Sequence, residues 1–446
     1  MKLKTSPGME DMHNKNFSRR SFLKHAAGAA AAAAVPAFIP SSVLGRQAVP
    51  PNNRINLAVI GVGKQGGGHV WGFLHKEEVQ VVAVCDVDAR KLEKARQDAE
   101  RFYAEKTGVP SFGGVGATRD FREVLERKDV DAVLIATPDH WHVPMSMLAA
   151  RSGKDIYCEK PLSLTIAEAR DLIPEIRRTG RVFQTGSQQR SNDKFRLACE
   201  LVRNGCIGDV THVRISIRTG FANHPVFCDL PAFPTPPELD WDLWLGPAPV
   251  RPYHPGIAPP FMSDEWGGWR NYTDYSGGGM ADWGAHHFDI AQWGLGMDGS
   301  GPVEILPPNG KDVPLLTYRY ANGVPMTVDF DSNFIRFTGT RGEIEVNRQH
   351  LKTRPDSLTR IKFGQDAVRL YPSDDHQSDW LACVRNRRRP ICDVENGSSS
   401  VTVCHLGNIA VRLRRPVKWD PDAGIFPDDP EANRLLSRPM RSPWRA

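Results

Sequence analysis

The spacing of apolar and polar positions changes character near residue 190. Before it, short apolar runs rich in β-branched residues alternate with stretches of helical length. Ile55 to Ile60 is the first run; a polar–apolar stretch of helical length and a second apolar run ending at Asp86 follow, which reads as strand, tight turn, helix, strand. A charged, alanine-containing helical pattern occupies 88–104, Gly113 to Gly116 reads as a loop, and a helix near Phe121 to Arg127 leads into a buried strand, Asp131 to Pro138. DHWHVPMSMLAARSGK predicts another helix and Asp155 to Pro161 a short strand. Thr165 to Thr179 is helical, with Thr165 and Glu168 spaced as a capping box, and RVFQTGSQQR returns as a strand. Strands alternating with such helices predict a parallel, doubly wound sheet that ends near Arg190.

Beyond that point the period shortens. After a helix at Lys194 to Arg203, VTHVRISIRT alternates apolar and polar residues, the mark of a strand buried on one face. PLLTYRYANGVPMTVDF and FIRFTGTRGEIEVN read as hairpins around Asn322-Gly323 and Arg341-Gly342. With closing helices near Asp374 to Arg388 and Ser398 to Arg414, the second part is an antiparallel sheet backed by helices. The expected division is 1–45, 46–190 and 191–446, with no internal repeat.

Composition sharpens this picture at the N-terminus. The chain has 446 residues, 40% hydrophobic and 24% charged, enough for about two or three domains. Its formal charge is +5, yet residues 1–45 hold Lys2, Lys4, Lys15, Arg19, Arg20 and Lys24 against Glu10 and Asp11, which leaves the rest near neutrality. Such a balance implies no nucleic-acid or membrane-surface partner. SRRSFLK, Ser18 to Lys24, precedes a mildly apolar alanine-rich run that Pro36 and Pro40 interrupt, too short to span a bilayer. It resembles a twin-arginine export signal, with cleavage after Ala37 or Gly45, so the translocation machinery is an expected partner and the periplasm or exterior the destination. Eight cysteines are too sparse for a disulfide framework; Cys85 and Cys158, in apolar runs, read as buried thiols. RNRRRP at Arg385 to Pro390 reads as a solvated helix end.

Three stretches carry chemistry. In the first, Gly61, Gly63 and Gly66 stand in GxGxxG spacing between strand and helix: one lets the chain turn, one lets backbone N–H groups reach a pyrophosphate, one lets helix and strand pack closely. The helix N-terminus favours the phosphates. Asp86, 20 residues after Gly66, stands where a ribose 2′-hydroxyl needs an acceptor, and its charge favours NAD over NADP, a preference that Arg90 and Lys91 soften. In the second, EKP, Glu159 to Pro161, ends a parallel strand on the edge where such sheets bind ligands, so Lys160 could place its ammonium over a nicotinamide and a reacting oxygen; a surface lysine beside a proline turn is the plainer alternative.

The third is SGGGMADWGAHHFDIAQWGL, Ser276 to Leu295. Met280, Trp283, His287, Ile290 and Gly294 share a helical face, so that face is core and His287 a packed histidine. Asp282, His286 and Asp289 share another, at i, i+4 and i+7. A metal would want further ligands, which no HExxH or CxxC supplies, and a neighbouring lysine opposes a cation, so no metal is expected. A structural hydrogen bond and an acid–base pair remain, the second favoured.

Together, GxGxxG with its late aspartate, TPxxxH from Thr137 to His142, EKP and GGGxxDxGxH resemble the glucose–fructose oxidoreductase, inositol dehydrogenase and rhizopine-catabolism (Gfo/Idh/MocA) family, from about Asn53 to the C-terminus. The export signal and LDWDLWLGPAP resemble its exported bacterial branch. The resemblance implies an α/β protein: an N-terminal Rossmann domain with a doubly wound parallel sheet, then a C-terminal α/β domain with a mostly antiparallel sheet. It implies a nicotinamide cofactor touched by Thr137, His142, Glu159, Lys160 and Arg270, with Gln188 and Arg190 as weaker candidates at a strand end. It makes Lys160 the catalytic lysine, Asp282 the orienting carboxylate and His286 the general base, and it implies association through the outer face of the second sheet, a homo-oligomer.

Two expected activities follow. One is an exported oxidoreductase acting on a secondary alcohol of a sugar, sugar derivative or cyclitol. The other is a redox-neutral glycosidase or lyase that oxidises, eliminates and reduces again. The proline-rich segment Phe221 to Trp269, with Trp241, Trp244, Trp266 and Trp269, departs from the family pattern. It reads as a long ordered wrap over its own tryptophans, or else as a platform for sugar rings.

Overall fold

The computed structural model describes residues 49, 53–261, 263 and 265–444. The export signal lies outside them. Among the described residues no helix is long and apolar enough to cross a membrane.

The first six strands are β1 (Ile55–Ile60), β2 (Val79–Cys85), β3 (Gly116–Thr118), β4 (Ala132–Ile135), β5 (Asp155–Cys158) and β6 (Phe183–Thr185). They form one sheet in the order β3-β2-β1-β4-β5-β6, parallel throughout. β1, β4 and β5 are almost wholly buried, the pattern of a sheet covered on both faces. The strand order reverses between β1 and β4, and a crevice opens there at the carboxyl ends. Local chemistry sets the helix ends: Asp88 and Asp120 accept from the second residue of their helices, Thr165 and Glu168 form the expected capping box, and Gly108 and Gly180 take the left-handed conformation at C-termini.

The second sheet contains β7 (Val210–Ser216), β8 (Pro302–Leu306), β9 (Leu316–Tyr320), β10 (Pro325–Asp329), β11 (Phe334–Gly339), β12 (Gly342–Val346), β13 (Leu351–Arg354) and β14 (Val417–Lys418). Its order is β13-β12-β11-β7-β10-β9-β8-β14, antiparallel except where β7 meets β10. Inward residues such as Val213, Ile215, Tyr318, Met326, Phe337 and Ile344 pack on the helices Asp193–Arg203, Gly284–Leu295 and Val394–Leu413. The outward face is polar and ion-paired, Arg214 with Asp329 and Arg336 with Glu345.

The glycine-rich stretch is not one helix. Gly278–Asp282 and Gly284–Leu295 are separate helices that meet at Trp283, with Gly278 at φ +67°. Asp289 serves the core and not the site: it pairs with Arg190 and accepts from Ser400. Arg190, itself buried and also bound to Asp298, is therefore part of the packing rather than a ligand contact.

Candidate functional site

β1 delivers the glycine loop to the crevice. Gly61 has φ +83°, and a Cβ on Gly66 would lie 1.8 Å from the Gly61 carbonyl oxygen. A Cβ on Gly63, by contrast, would meet nothing within 4 Å. Two glycines are thus fixed by backbone contact, and the third leaves open space at the N-terminus of the helix Lys64–Leu74. Gly66→Ala should cost more than the roughly 1–3 kcal/mol of ordinary overpacking, because the clash is with backbone. A lowered melting temperature together with loss of bound nucleotide is the expected readout.

Asp86, at the end of β2, accepts from the N–H groups of Val62 and Asp88, both at 2.9 Å. Burial raises its pKa despite Lys91 and these bonds. Thr137, after β4, lines the same cleft, and its Oγ1 is buried without a partner. Open space at Gly63, a helix N-terminus with no acidic residue in its first turn, and an orphaned hydroxyl opposite all fit a dinucleotide.

The outer wall of the cleft comes from the segment that departs from the family pattern. Pro236, Leu239, Tyr253, Pro260, Trp266 and Arg270 face Gly63, Asp86 and Thr137 across it. The segment is tied to the loop after β2: Ala89 N–H donates to Glu238 O at 3.0 Å, Asp240 N–H to Val87 O at 3.0 Å, and Arg119 to both carbonyls. At the other end, the Lys64 ammonium and the Arg270 guanidinium each lie 5.0 Å from the Trp266 ring. Trp244 and Trp269 are buried, as a wrap over its own tryptophans requires. What the wrap covers is the dinucleotide cleft. No periodicity announces this.

Lys160 emerges from β5 at the same edge. Its Nζ donates to the Asp282 carbonyl at 2.8 Å and to Asp282 Oδ1 at 3.0 Å. Arg270 Nε reaches the same Oδ1 at 3.4 Å and is stacked 4.1 Å from the Trp269 ring. Burial works to raise the Asp282 pKa, but Lys160 and Arg270 outweigh it and hold the carboxyl below its usual range. The Asp282 carboxylate therefore fixes Lys160, not His286 as the i, i+4 spacing had suggested.

His286 is buried, and its Nδ1 has no partner. Burial, then the charges of Lys160 and Arg348, push its pKa well below the ordinary histidine value, so the ring is neutral at pH 7. Its neighbour His287 is a packed histidine, as its face predicts.

Of the other expected cofactor contacts, two are held by protein groups and one is exposed. Glu159 is buried beneath the loop, accepting from His69 at 2.6 Å and Gln65 at 3.0 Å. Burial opposes its charge, yet those bonds and Lys160 hold its pKa at about 2. His142 bridges the carbonyls of Pro161 at 2.6 Å and Thr137 at 2.9 Å, which joins the two loops rather than facing the cleft. Gln188 is exposed in a short turn after β6.

Two residues that sequence reasoning passed over belong here. Asp139, after Thr137-Pro138, is 3% exposed with Oδ2 unpartnered, and burial, opposed by Arg270, pushes its carboxyl up to about 7. Arg348 reaches the site from the turn after β12. Its place in the sequence, between two strands of the second sheet, gives no sign of this.

The chain matches the model of an oxidoreductase family's NAD-binding Rossmann fold over residues 55–187 and that family's C-terminal alpha/beta domain over 192–446. Residues 16–36 match the twin-arginine translocation signal. An alpha-N-acetylgalactosaminidase of Shewanella oneidensis is 34% identical over 216 residues, 45% of either chain. A glycosyl hydrolase family 109 protein of Shewanella pealeana is 30% identical over 210 residues, 44% of either. The match thus spans under half the length of these relatives. An aldose-aldose oxidoreductase from Caulobacter crescentus superposes with a TM-score of 0.55 at 18% identity, covering 82% of this chain and 99% of that one. A scyllo-inositol dehydrogenase from Lactobacillus casei, solved with NAD(H) and scyllo-inositol, gives 0.52 at 16% over the same shares. At these identities the likeness is one of fold.

Proposed function

The chain belongs to the Gfo/Idh/MocA oxidoreductase family and is exported by the twin-arginine pathway, and from that premise we propose that it is an NAD-dependent enzyme acting on a secondary alcohol of a sugar, sugar derivative or cyclitol. The observation that carries this reading is the convergence of Lys160, held by Asp282, and neutral His286 beside a cleft that fits a dinucleotide. A nicotinamide held between Gly63, Asp86 and Thr137 would supply the hydride acceptor for the substrate carbon. His286 takes the proton of the reacting hydroxyl. Lys160, its ammonium anchored on two oxygens of Asp282, presents fixed positive charge to the developing alkoxide. Asp86 favours NAD over NADP.

A second reading has support of its own. The relatives include a glycosidase and a glycosyl hydrolase family, and export removes the protein from the cytoplasmic nucleotide pool. A redox-neutral cycle answers that difficulty: the ketone acidifies its neighbouring C–H, the glycosidic leaving group departs with that C–H proton, water adds to the resulting enone in the glycosidase (but not in a lyase), and a resident nicotinamide would supply the same hydride back to the ketone. Segment 236–270, tied down at both ends of the cleft, suits a cofactor that stays. We also place the domain boundary near residue 190 and the subunit contact on the outer face of the second sheet, giving a homo-oligomer.

The test is to purify the processed protein without added cofactor, denature it and identify the nucleotide released. Near-stoichiometric NAD is expected. An empty protein that binds NAD weakly would overturn a resident cofactor. With the nucleotide in hand, need for a second substrate marks net oxidation, and cleavage without change in the cofactor marks the redox-neutral cycle.

A further inference from the structure

Arg348 differs from the other arginines of the second sheet, which are either ion-paired or, like Arg341 and Arg354, exposed. Arg214, Arg319 and Arg336 each pair with a carboxylate on a neighbouring strand. Among the ion pairs of the described residues, Arg348 takes part in none. It is half-buried nonetheless, and its guanidinium lies 4.7 Å from the Trp283 ring. Asn347 pins the turn that carries it, its side chain accepting from the N–H groups of Gln349 and His350. With its amide oriented to satisfy both neighbours, buried Gln189 donates to the His286 carbonyl at 3.0 Å and accepts from Arg348 Nε at 3.3 Å. One amide therefore holds the guanidinium in the same frame as the turn of helix that bears His286.

Lys160 and Arg270 share the Asp282 carboxylate, and the Asp139 carboxyl also lies in their field, whereas Arg348, which acts on the same His286 as Lys160, touches neither. The carboxylate whose field reaches Arg348 is Glu159, and its oxygens are bound by His69, Gln65 and the Lys160 N–H. A half-buried guanidinium with no carboxylate in direct contact is unfavourable, and its planar fork matches a carboxylate in a bidentate pair. One guanidinium supplies one charge, which suits a carboxylate better than a phosphate dianion.

We infer that Arg348 binds a carboxylate on the substrate, so that the sugar set against Lys160 and His286 is an acidic one, a uronate or a uronate glycoside. The inference rests on the proposed sugar site but concerns binding, which is read without turnover.

The test uses the full processed protein and three matched pairs of probes: glucuronate with glucose, galacturonate with galactose, mannuronate with mannose. Calorimetry or quenching of tryptophan fluorescence reads affinity, and glucose 6-phosphate is the phosphoryl arm. At least one uronate is expected to bind about tenfold or more tightly than its neutral partner, the scale of a charge-assisted bidentate pair. Arg348→Gln should erase that difference while leaving melting temperature and nucleotide content near those of the parent. Arg348→Lys, which keeps the charge and loses the fork, should fall between, and it keeps the test open if the glutamine variant does not fold. The inference fails if no uronate outbinds its partner, if the preference survives Arg348→Gln, or if glucose 6-phosphate outbinds every uronate. Uronate binding through Arg348 without any turnover would sink the redox reading and leave this one standing. Turnover of neutral sugars alone would do the reverse.

Discussion

Lys160→Met is expected to lower turnover by about 10²–10³-fold, the usual loss when one preorganised donor to a developing oxyanion is removed, with bound nucleotide and fold retained. The methionine keeps the length of the stem and deletes the charge. Two features make the loss large. The Lys160 ammonium is fixed by the Asp282 carbonyl and carboxylate at 2.8 and 3.0 Å, so it needs no reorganisation when the alkoxide forms. It is also mostly shielded from solvent, its side chain 17% exposed, so its field is weakly screened. The fold should survive because Asp282 keeps Arg270 as a counter-charge. The effect should fall on kcat more than on KM, since the charge acts on an oxygen that becomes anionic only in the transition state. Activity within a few-fold of the parent, in protein that still carries its nucleotide, would remove Lys160 from the chemistry.

The parts of this site legible in the sequence are those governed by local rules. Gly61 and Gly66 could be read because a strand entering a tight turn and a close-packed helix leaves no space for a side chain. The hairpin strands were legible from their alternation and from Asn322-Gly323 and Arg341-Gly342 at the turns. β3, β8, β13 and β14 were not: β3, β13 and β14 are no more than four residues long, and β8 begins with proline. Helical spacing placed Asp282, His286 and Asp289 together, yet Asp282 is bound by Lys160, Asp289 by Arg190 and Ser400, and His286 Nδ1 is left without a partner. The wall made by segment 236–270, and the approach of Arg348 to His286, are tertiary contacts with no period to announce them. Asp139 follows Thr137-Pro138 in plain sight, but only its burial shows that its carboxyl titrates near neutrality.

His286→Asn should lower kcat by about 10²–10⁴-fold, the range for loss of a general base, and it should change the pH profile in a way that identifies the group. A base must be unprotonated to act, so activity falls as pH drops through its pKa. An ordinary histidine would place that acid limb near 6.5. Burial first, then the positive charges of Lys160 and Arg348, disfavour the imidazolium of His286, so its limb belongs well below that value and the rate should be flat from neutrality upward. Arg348→Gln removes one of those charges and should move the limb towards higher pH. The asparagine variant should lack the limb while retaining nucleotide and melting behaviour. Asp139 offers the competing explanation for a limb near 7, since its carboxyl is pushed up to about 7. Asp139→Asn separates the two: a limb near 7 that disappears in this variant belongs to Asp139, and the His286 limb should remain below it. A profile whose acid limb sits at an ordinary histidine value and ignores both Arg348→Gln and Asp139→Asn would assign the proton to another group, because neither burial nor neighbouring charge would then be acting on it.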